Sequence, residues 1–329
     1  MKIIDYKLKN EKATLRGYVH EKSREMPNVD TRPAVLVFPG GGYMMCSDRE
    51  ADPIALAYLA EGYNTFILRY SVGVNEPVYK AFEDADEAMG YLHSNADALN
   101  IDSSKIAVVG FSAGGHLTAW LSVFGKIKPN AAILGYPAII AASGRNIGKE
   151  LPELCAHVDN TTPSSFIFTT REDMLVPVEH SLQYAAALDK ANVDFEMHVF
   201  SKGSHGLSLA RTFTSSGKAH MVNDEVAQWF DLSIRWLKGV IGDFTTSDQP
   251  IGSGKIDSHS PIAVLMSNEK AWEMVIECFP FLPENLRLAE ESGRGAMMKG
   301  ASIRQISSFS PDSYPEEQVD ILDSKLAQL

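Results

Sequence analysis

The chain has 329 residues, 45% of them hydrophobic and 22% charged, which is enough apolar material for a buried core and too much for a disordered chain. With 30 basic and 42 acidic residues the formal net charge is −12, which argues against nucleic acid or an anionic membrane as partner. Three scattered cysteines, Cys46, Cys155 and Cys278, support neither a disulfide framework nor a zinc knuckle.

Met1 to Glu11 carries charges throughout and lacks the apolar core of a signal peptide, so the chain reads as cytoplasmic; a leader already removed leaves the same pattern. The longest apolar candidate for a membrane span, Ala131 to Ala142, contains Gly135 and Pro137 and is about half the required length. In chain order, Thr14 to His20, Pro33 to Pro39 and Asn64 to Tyr70 read as strands. The second is a continuous apolar run, as expected of a strand buried on both faces. Val78 to Leu99 reads as a helix, with Phe82, Ala85, Met89 and Leu92 close to one face. A strand from Lys105 to Gly110 runs into a helix from Ala113 to Val123. Ala131 to Tyr136 and Ser165 to Thr169 are strands, Val178 to Ala191 a helix, Phe195 to Phe200 a strand, and Asn223 to Val240 an amphipathic helix. This alternation predicts an α/β fold, a mostly parallel sheet with helices on both faces.

The stretch from Asp243 to Gly254 is polar and rich in turn formers. The expected division is therefore a domain over residues 1–242, a linker over 243–261 and a helical module over 262–329. Trp272, Val275, Ile276 and Phe279 stripe one helix of that module, and Val319, Leu322, Leu326 and Leu329 its last. Ser302 with Gln305 and Ser313 with Glu316 are candidate capping boxes. From Thr245 onward 13 acidic and 7 basic residues give a net of −6, half of the total charge.

Gly110-Phe-Ser112-Ala-Gly114 matches G-x-S-x-G at a strand-to-helix junction, the setting in which a sharp turn projects a serine above a sheet edge. The plain alternative is a glycine-rich turn with a surface serine. Gly40-Gly41-Gly42 follows an apolar strand and leaves backbone N–H groups open. In acyl transfer the N–H groups of these glycines, with that of Ala113, would face a developing oxyanion. A serine hydroxyl needs an imidazole to take its proton and a carboxylate to hold the imidazole. His205 lies in a loop directly after a strand, and Asp173 follows the strand before it. Ser112, Asp173 and His205 stand in the chain order of one hydrolase fold. Glu172 is an alternative acid. His116 reads as a packed helix residue, and His180 as a residue that lines the cleft. Tyr43, Met44, Tyr70 and Leu175 complete the candidate substrate contacts, with Met44, Met45 and Cys46 narrowing an acyl pocket. Cys46 has no paired base. No H-E-x-x-H, Walker or G-x-G-x-x-G pattern occurs, so no metal or organic cofactor is expected.

With Val37-Phe-Pro-Gly-Gly-Gly-Tyr43, Val109-Gly-Phe-Ser-Ala-Gly-Gly-His-Leu117, Asp173 to Ser181 and Gly203-Ser-His-Gly-Leu207, the chain resembles the α/β-hydrolase superfamily. It looks most like bacterial acetyl-xylan and carbohydrate acetylesterases, from Ala34 to Val240. The resemblance implies a Ser112–His205–Asp173 triad, an oxyanion hole from the Gly40, Gly41 and Ala113 amides, and a small-molecule or oligosaccharide ester substrate. Departures are Pro39, where many relatives carry histidine, Thr169-Thr170, where this branch often has His-Thr, and His180, where it often has asparagine. A thioesterase, peptidase or arylformamidase is the rival on the same fold, and a non-catalytic binding protein the rival of another class. The C-terminal helices are open to three readings: a homo-oligomer contact, a partial lid or an accessory module.

Overall fold

The computed structural model describes residues 1–23, 25–244 and 256–329. The chain divides into two compact units, one of Met1–Glu21 with Asp30–Phe244, the other of Lys22–Val29 with the described C-terminal residues 256–329. Most of the expected linker, residues 245–255, lies outside the described residues.

The first unit is built on β1 (Lys2–Lys7), β2 (Thr14–Val19), β3 (Arg32–Phe38), β4 (Asn64–Arg69), β5 (Ile101–Phe111), β6 (Ala131–Gly135), β7 (Ser165–Thr170) and β8 (Phe195–Phe200). The helices between and after them are α1 (Asp52–Ala60), α2 (Tyr79–Ser94), α3 (Ala113–Phe124), α4 (Glu179–Lys190), α5 (Asp224–Ala227) and α6 (Trp229–Val240). The strands form one sheet in the order β1-β2-β4-β3-β5-β6-β7-β8. β2 pairs antiparallel with β1 and β4, and every other pair is parallel. The predicted α/β architecture is therefore present.

Strand period decides which helix covers which face. Val35, Val37, Val109 and Phe168 point to the side packed by Ile54 and Tyr58 of α1 and Trp229, Phe230 and Leu237 of α6. Their neighbours Leu36, Phe38 and Val108 point to the side packed by Ala85 and Met89 of α2 and Leu117 and Leu121 of α3. Trp229 is fully buried, stacks on Phe168 at 4.4 Å and donates its indole N–H to Ser208 O at 2.9 Å, so the apolar anchor of α6 also pays its polar debt.

Several expectations shift. β1 was not foreseen: it is an exposed edge strand in which only Ile4 and Tyr6 are even half-buried. α1, with Pro53 in its first turn, was also missed. The helix expected from Asn223 to Val240 is two helices, broken at Gln228, with the Asn223 side chain capping the first. Asp243 and Phe244 belong to this first unit, where the Phe244 ring lies 5.8 Å from the Arg32 guanidinium.

The second unit carries α7 (Ile262–Ser267), α8 (Glu269–Cys278), α9 (Leu282–Glu291), α10 (Gly295–Gly300), α11 (Ile303–Phe309) and α12 (Glu316–Leu326). Its own core joins Leu265, Val275, Phe279, Leu282, Val319 and Leu322. Ser302 and Gln305 form the expected capping box. The second one does not form, because Pro315 takes the cap position of α12 and supplies no side-chain acceptor. Leu329 is exposed rather than part of the stripe. Among the described residues no helix is long and apolar enough to cross a membrane.

Candidate active site

Ser112 sits between the end of β5 and the start of α3 with φ +53° and ψ −115°. That conformation is costly for a residue with a Cβ and needs support from its surroundings. The Ser112 N–H donates to Gly135 O at 3.0 Å, and its carbonyl accepts from His116 and Ala138. The flanking glycines are sterically required: a Cβ at Gly110 would stand 2.1 Å from Gly114 O, and one at Gly114 2.0 Å from Phe38 O. The bend is thus made possible by the tight approach of α3 to β3 and β5.

The loops after β7 and β8 deliver two further groups to the same edge, where the parallel strands end. His205 Nε2 lies 2.8 Å from Ser112 Oγ, and His205 Nδ1 lies 2.6 Å from Asp173 Oδ2. Asp173 is buried, and its Oδ1 accepts the N–H groups of Leu175 and Val176, both at 2.9 Å. With the carboxylate accepting a hydrogen bond from Nδ1–H, Nε2 is left as the acceptor for the serine proton. Glu172 is exposed and makes no bond to the imidazole.

The serine opens into a cavity of about 520 Å³. Of the residues singled out in the sequence, Gly41, Gly42, Tyr43, Met44, Met45, Ala113, Leu175 and His205 line it. Arg49, Glu50, Ser143, Ile147, Leu151 and Val176 line it without having been anticipated. Ile147 and Leu151 come from a segment pinned by Lys149, whose buried ammonium donates to the carbonyls of Gly73, Val74 and Glu76. A larger, more open groove of about 790 Å³ runs past Tyr6, Lys9, Lys80, Glu87 and Tyr91. It contains no nucleophile paired with a base, so the chemistry belongs to the smaller cavity. Among the described residues no group of three or more His, Cys, Asp or Glu is placed to hold a metal ion.

Three of the expected contacts have other employment. The Gly40 N–H donates to Glu50 Oε2 at 2.9 Å and is not offered to the cavity. Among the described residues no acceptor takes the N–H of Gly41, Gly42 or Ala113, and Ala113, as first residue of α3, has none within its helix. A Cβ at Gly41 would lie 2.1 Å from Met45 O, so only glycine fits this turn. Tyr70 is buried off the wall, its hydroxyl donating to Pro39 O at 2.6 Å. His180 is buried too, with Nδ1 accepting the Ile140 N–H at 3.0 Å. Both brace the site from behind rather than facing a ligand. Tyr43 is at the wall, but its hydroxyl is held 2.8 Å from Nδ1 of His116. His116 is fully buried, and burial pushes its pKa down to about 3, so it is a neutral packing residue as anticipated. Burial pushes the Cys46 thiol up to about 11, which leaves it a poor nucleophile.

Residues 24–134 match the BD-FAE family and residues 152–238 the prolyl oligopeptidase family. The crystal structure of MGS-M1, an alpha/beta hydrolase enzyme from a Medee basin deep-sea metagenome library, is 49% identical with a TM-score of 0.70. It is matched over 73% of this chain and 98% of that one. The endo-1,4-beta-xylanase B of Butyrivibrio fibrisolvens is 35% identical over 61% of this chain and 36% of its own. An acetylxylan esterase of Xylanibacter ruminicola is 27% identical over 65% of this chain and 47% of its own. The chain thus spans between about a third and a half of the length of these two curated relatives.

Proposed function

This chain belongs to the α/β-hydrolase family, and on that premise we propose that it is a serine esterase that removes short acyl groups, acetyl first among them, from carbohydrate hydroxyls. The observation that carries the reading is the continuous hydrogen-bonded line from Asp173 through His205 to Ser112. Ser112 Oγ attacks the ester carbonyl carbon while His205 Nε2 takes its proton. The carbonyl oxygen, now an oxyanion, is held by the N–H groups of Gly41 and Ala113. The intermediate collapses, the alkoxide leaves with the proton from His205, and an acyl-serine remains. Water then attacks that ester, again with His205 as base, and releases the acid and free Ser112.

The sugar and the acyl group are argued from two sides. The cavity of about 520 Å³ has an apolar wall of Met44, Met45, Ile147, Leu151 and Leu175, which suits an uncharged, apolar acyl group. The likeness to an acetylxylan esterase and to a xylanase supports a xylan-type alcohol. In this reading Met1–Glu21 with Asp30–Phe244 is the catalytic domain, and the helices of 262–329 are a separate module. The match of residues 152–238 to the prolyl oligopeptidase family favours one second reading, a peptidase. The test is a release assay over acetylated xylo-oligosaccharides, p-nitrophenyl acetate, an acyl-CoA, a formyl-anilide and a blocked peptide, with Ser112→Ala as control. Acetate release from the oligosaccharides that vanishes in the variant is the expected result. Preferred cleavage of the peptide, or equal turnover by the variant, overturns the proposal.

A further inference from the structure

The turn that follows the glycine run, Asp48–Glu50, contains a buried carboxylate that the reaction above does not use. Glu50 accepts with both oxygens: the Gly40 N–H donates to Oε2 at 2.9 Å, and the Tyr136 hydroxyl donates to Oε1 at 2.6 Å. Tyr136 oxygen in turn accepts the Ser208 N–H at 2.9 Å, and its ring meets the His205 ring edge-on at 5.0 Å. From the same turn Arg49 Nη1 donates to Gly206 O at 2.8 Å, and Arg49 O accepts the Ser208 hydroxyl. One short turn therefore grips the glycine run on one side and the histidine loop on the other. Burying a carboxylate is costly unless both oxygens are engaged, and here both are engaged by groups that flank the reacting atoms.

We propose that Glu50 is a positioning residue that holds the oxyanion turn and the His205 loop in register with Ser112. By capturing the Gly40 N–H it orients the following peptide and leaves the Gly41 N–H as the donor at the cavity wall. Through Tyr136 it fixes the backbone at Ser208, three residues beyond the imidazole. A carboxylate offers a separate acceptor oxygen to the N–H and to the O–H. Glutamine keeps one acceptor and turns a donor toward Tyr136, and alanine keeps neither. The fit is close, since a Cβ at Gly40 would stand 2.6 Å from Glu50 Oε2 and 2.8 Å from Phe111 O.

The proposal rests on the esterase reading, and its test keeps the two apart. Steady-state kinetics on p-nitrophenyl acetate and thermal melts are measured for the full-length wild type, Glu50→Ala, Glu50→Gln and Tyr136→Phe. Misplacing one oxyanion donor costs about 100-fold in kcat. The expected outcome is that loss in Glu50→Ala with KM within about twofold of wild type, recovery by Glu50→Gln to within about tenfold, and roughly a tenfold loss in Tyr136→Phe. A folded Glu50→Ala or Tyr136→Phe with wild-type kcat overturns the proposal. So does a loss confined to KM, or a Glu50→Gln as slow as Glu50→Ala. Should Glu50→Ala not fold, Glu50→Gln and Tyr136→Phe are judged on the same terms. A wild type that is labelled at Ser112 by a fluorophosphonate yet turns over no ester refutes the substrate reading alone, and labelling rates then replace kcat in the comparison.

Discussion

Replacing Asp173 by asparagine is expected to inactivate the enzyme while leaving its fold intact, and the reason lies in three hydrogen bonds. Oδ1 accepts the N–H groups of Leu175 and Val176, both at 2.9 Å, and Oδ2 faces His205 Nδ1 at 2.6 Å. An asparagine must keep its carbonyl oxygen on the two backbone N–H groups, because its NH₂ there would set donor against two donors. The NH₂ is then forced toward Nδ1, which can answer it only as an acceptor. The ring proton moves to Nε2, 2.8 Å from Ser112 Oγ, and the base can no longer take the serine proton. Inverting the tautomer in such a site costs about 10⁴ in kcat, about 5 kcal/mol of transition-state stabilisation. Two of the three bonds survive, so the melting temperature should move by no more than about three degrees. Initial rates on p-nitrophenyl acetate between pH 7 and 8, with a thermal melt, make the measurement, and Glu172→Gln serves as a control that keeps the wild-type rate. A folded Asp173→Asn within tenfold of wild type would refute the argument that this carboxylate sets the tautomer.

Two further outcomes follow from packing and burial. Gly114→Ala places a methyl 2.0 Å from Phe38 O and 2.6 Å from Pro39 O; both are backbone atoms, so a loss of about 3 kcal/mol and a melting point lower by roughly ten degrees are expected, and an unshifted melt contradicts the close approach of α3. For His116 the folded value of about 3 lies below the ordinary 6.5 because the ring is buried, so between those values the unfolded chain holds a proton that the native chain does not. Stability from the neutral ring is complete above pH 6.5 and is lost as the pH falls toward 3; His116→Asn should flatten that acid limb in urea titrations at pH 7 and 4.5, and an unchanged slope would count against it.

Much of this molecule is written in short-range pattern. Pro33 to Pro39, Asn64 to Tyr70 and Ala131 to Tyr136 announce buried strands because both of their faces are covered, and a run of apolar residues needs no partner to be visible. The glycines around Ser112 announce the bend because no Cβ is tolerated at Gly110 or Gly114. The order of Ser112, Asp173 and His205 along the chain was equally legible, since each follows a strand. What local pattern does not carry is the identity of a hydrogen-bond partner far along the chain. That Gly40 spends its N–H on Glu50, that Tyr70 and His180 turn inward, and that Arg49 and Glu50 reach residues 206, 136 and 208 were decided only by folding. The edge strand β1 stayed hidden because only Ile4 and Tyr6 of it are even partly covered, and pairing with β2 defines it. Periodicity reports which face of an element is dry. Which donor meets which acceptor depends on how the sheet twists distant loops toward one rim, and that is a property of the assembled chain.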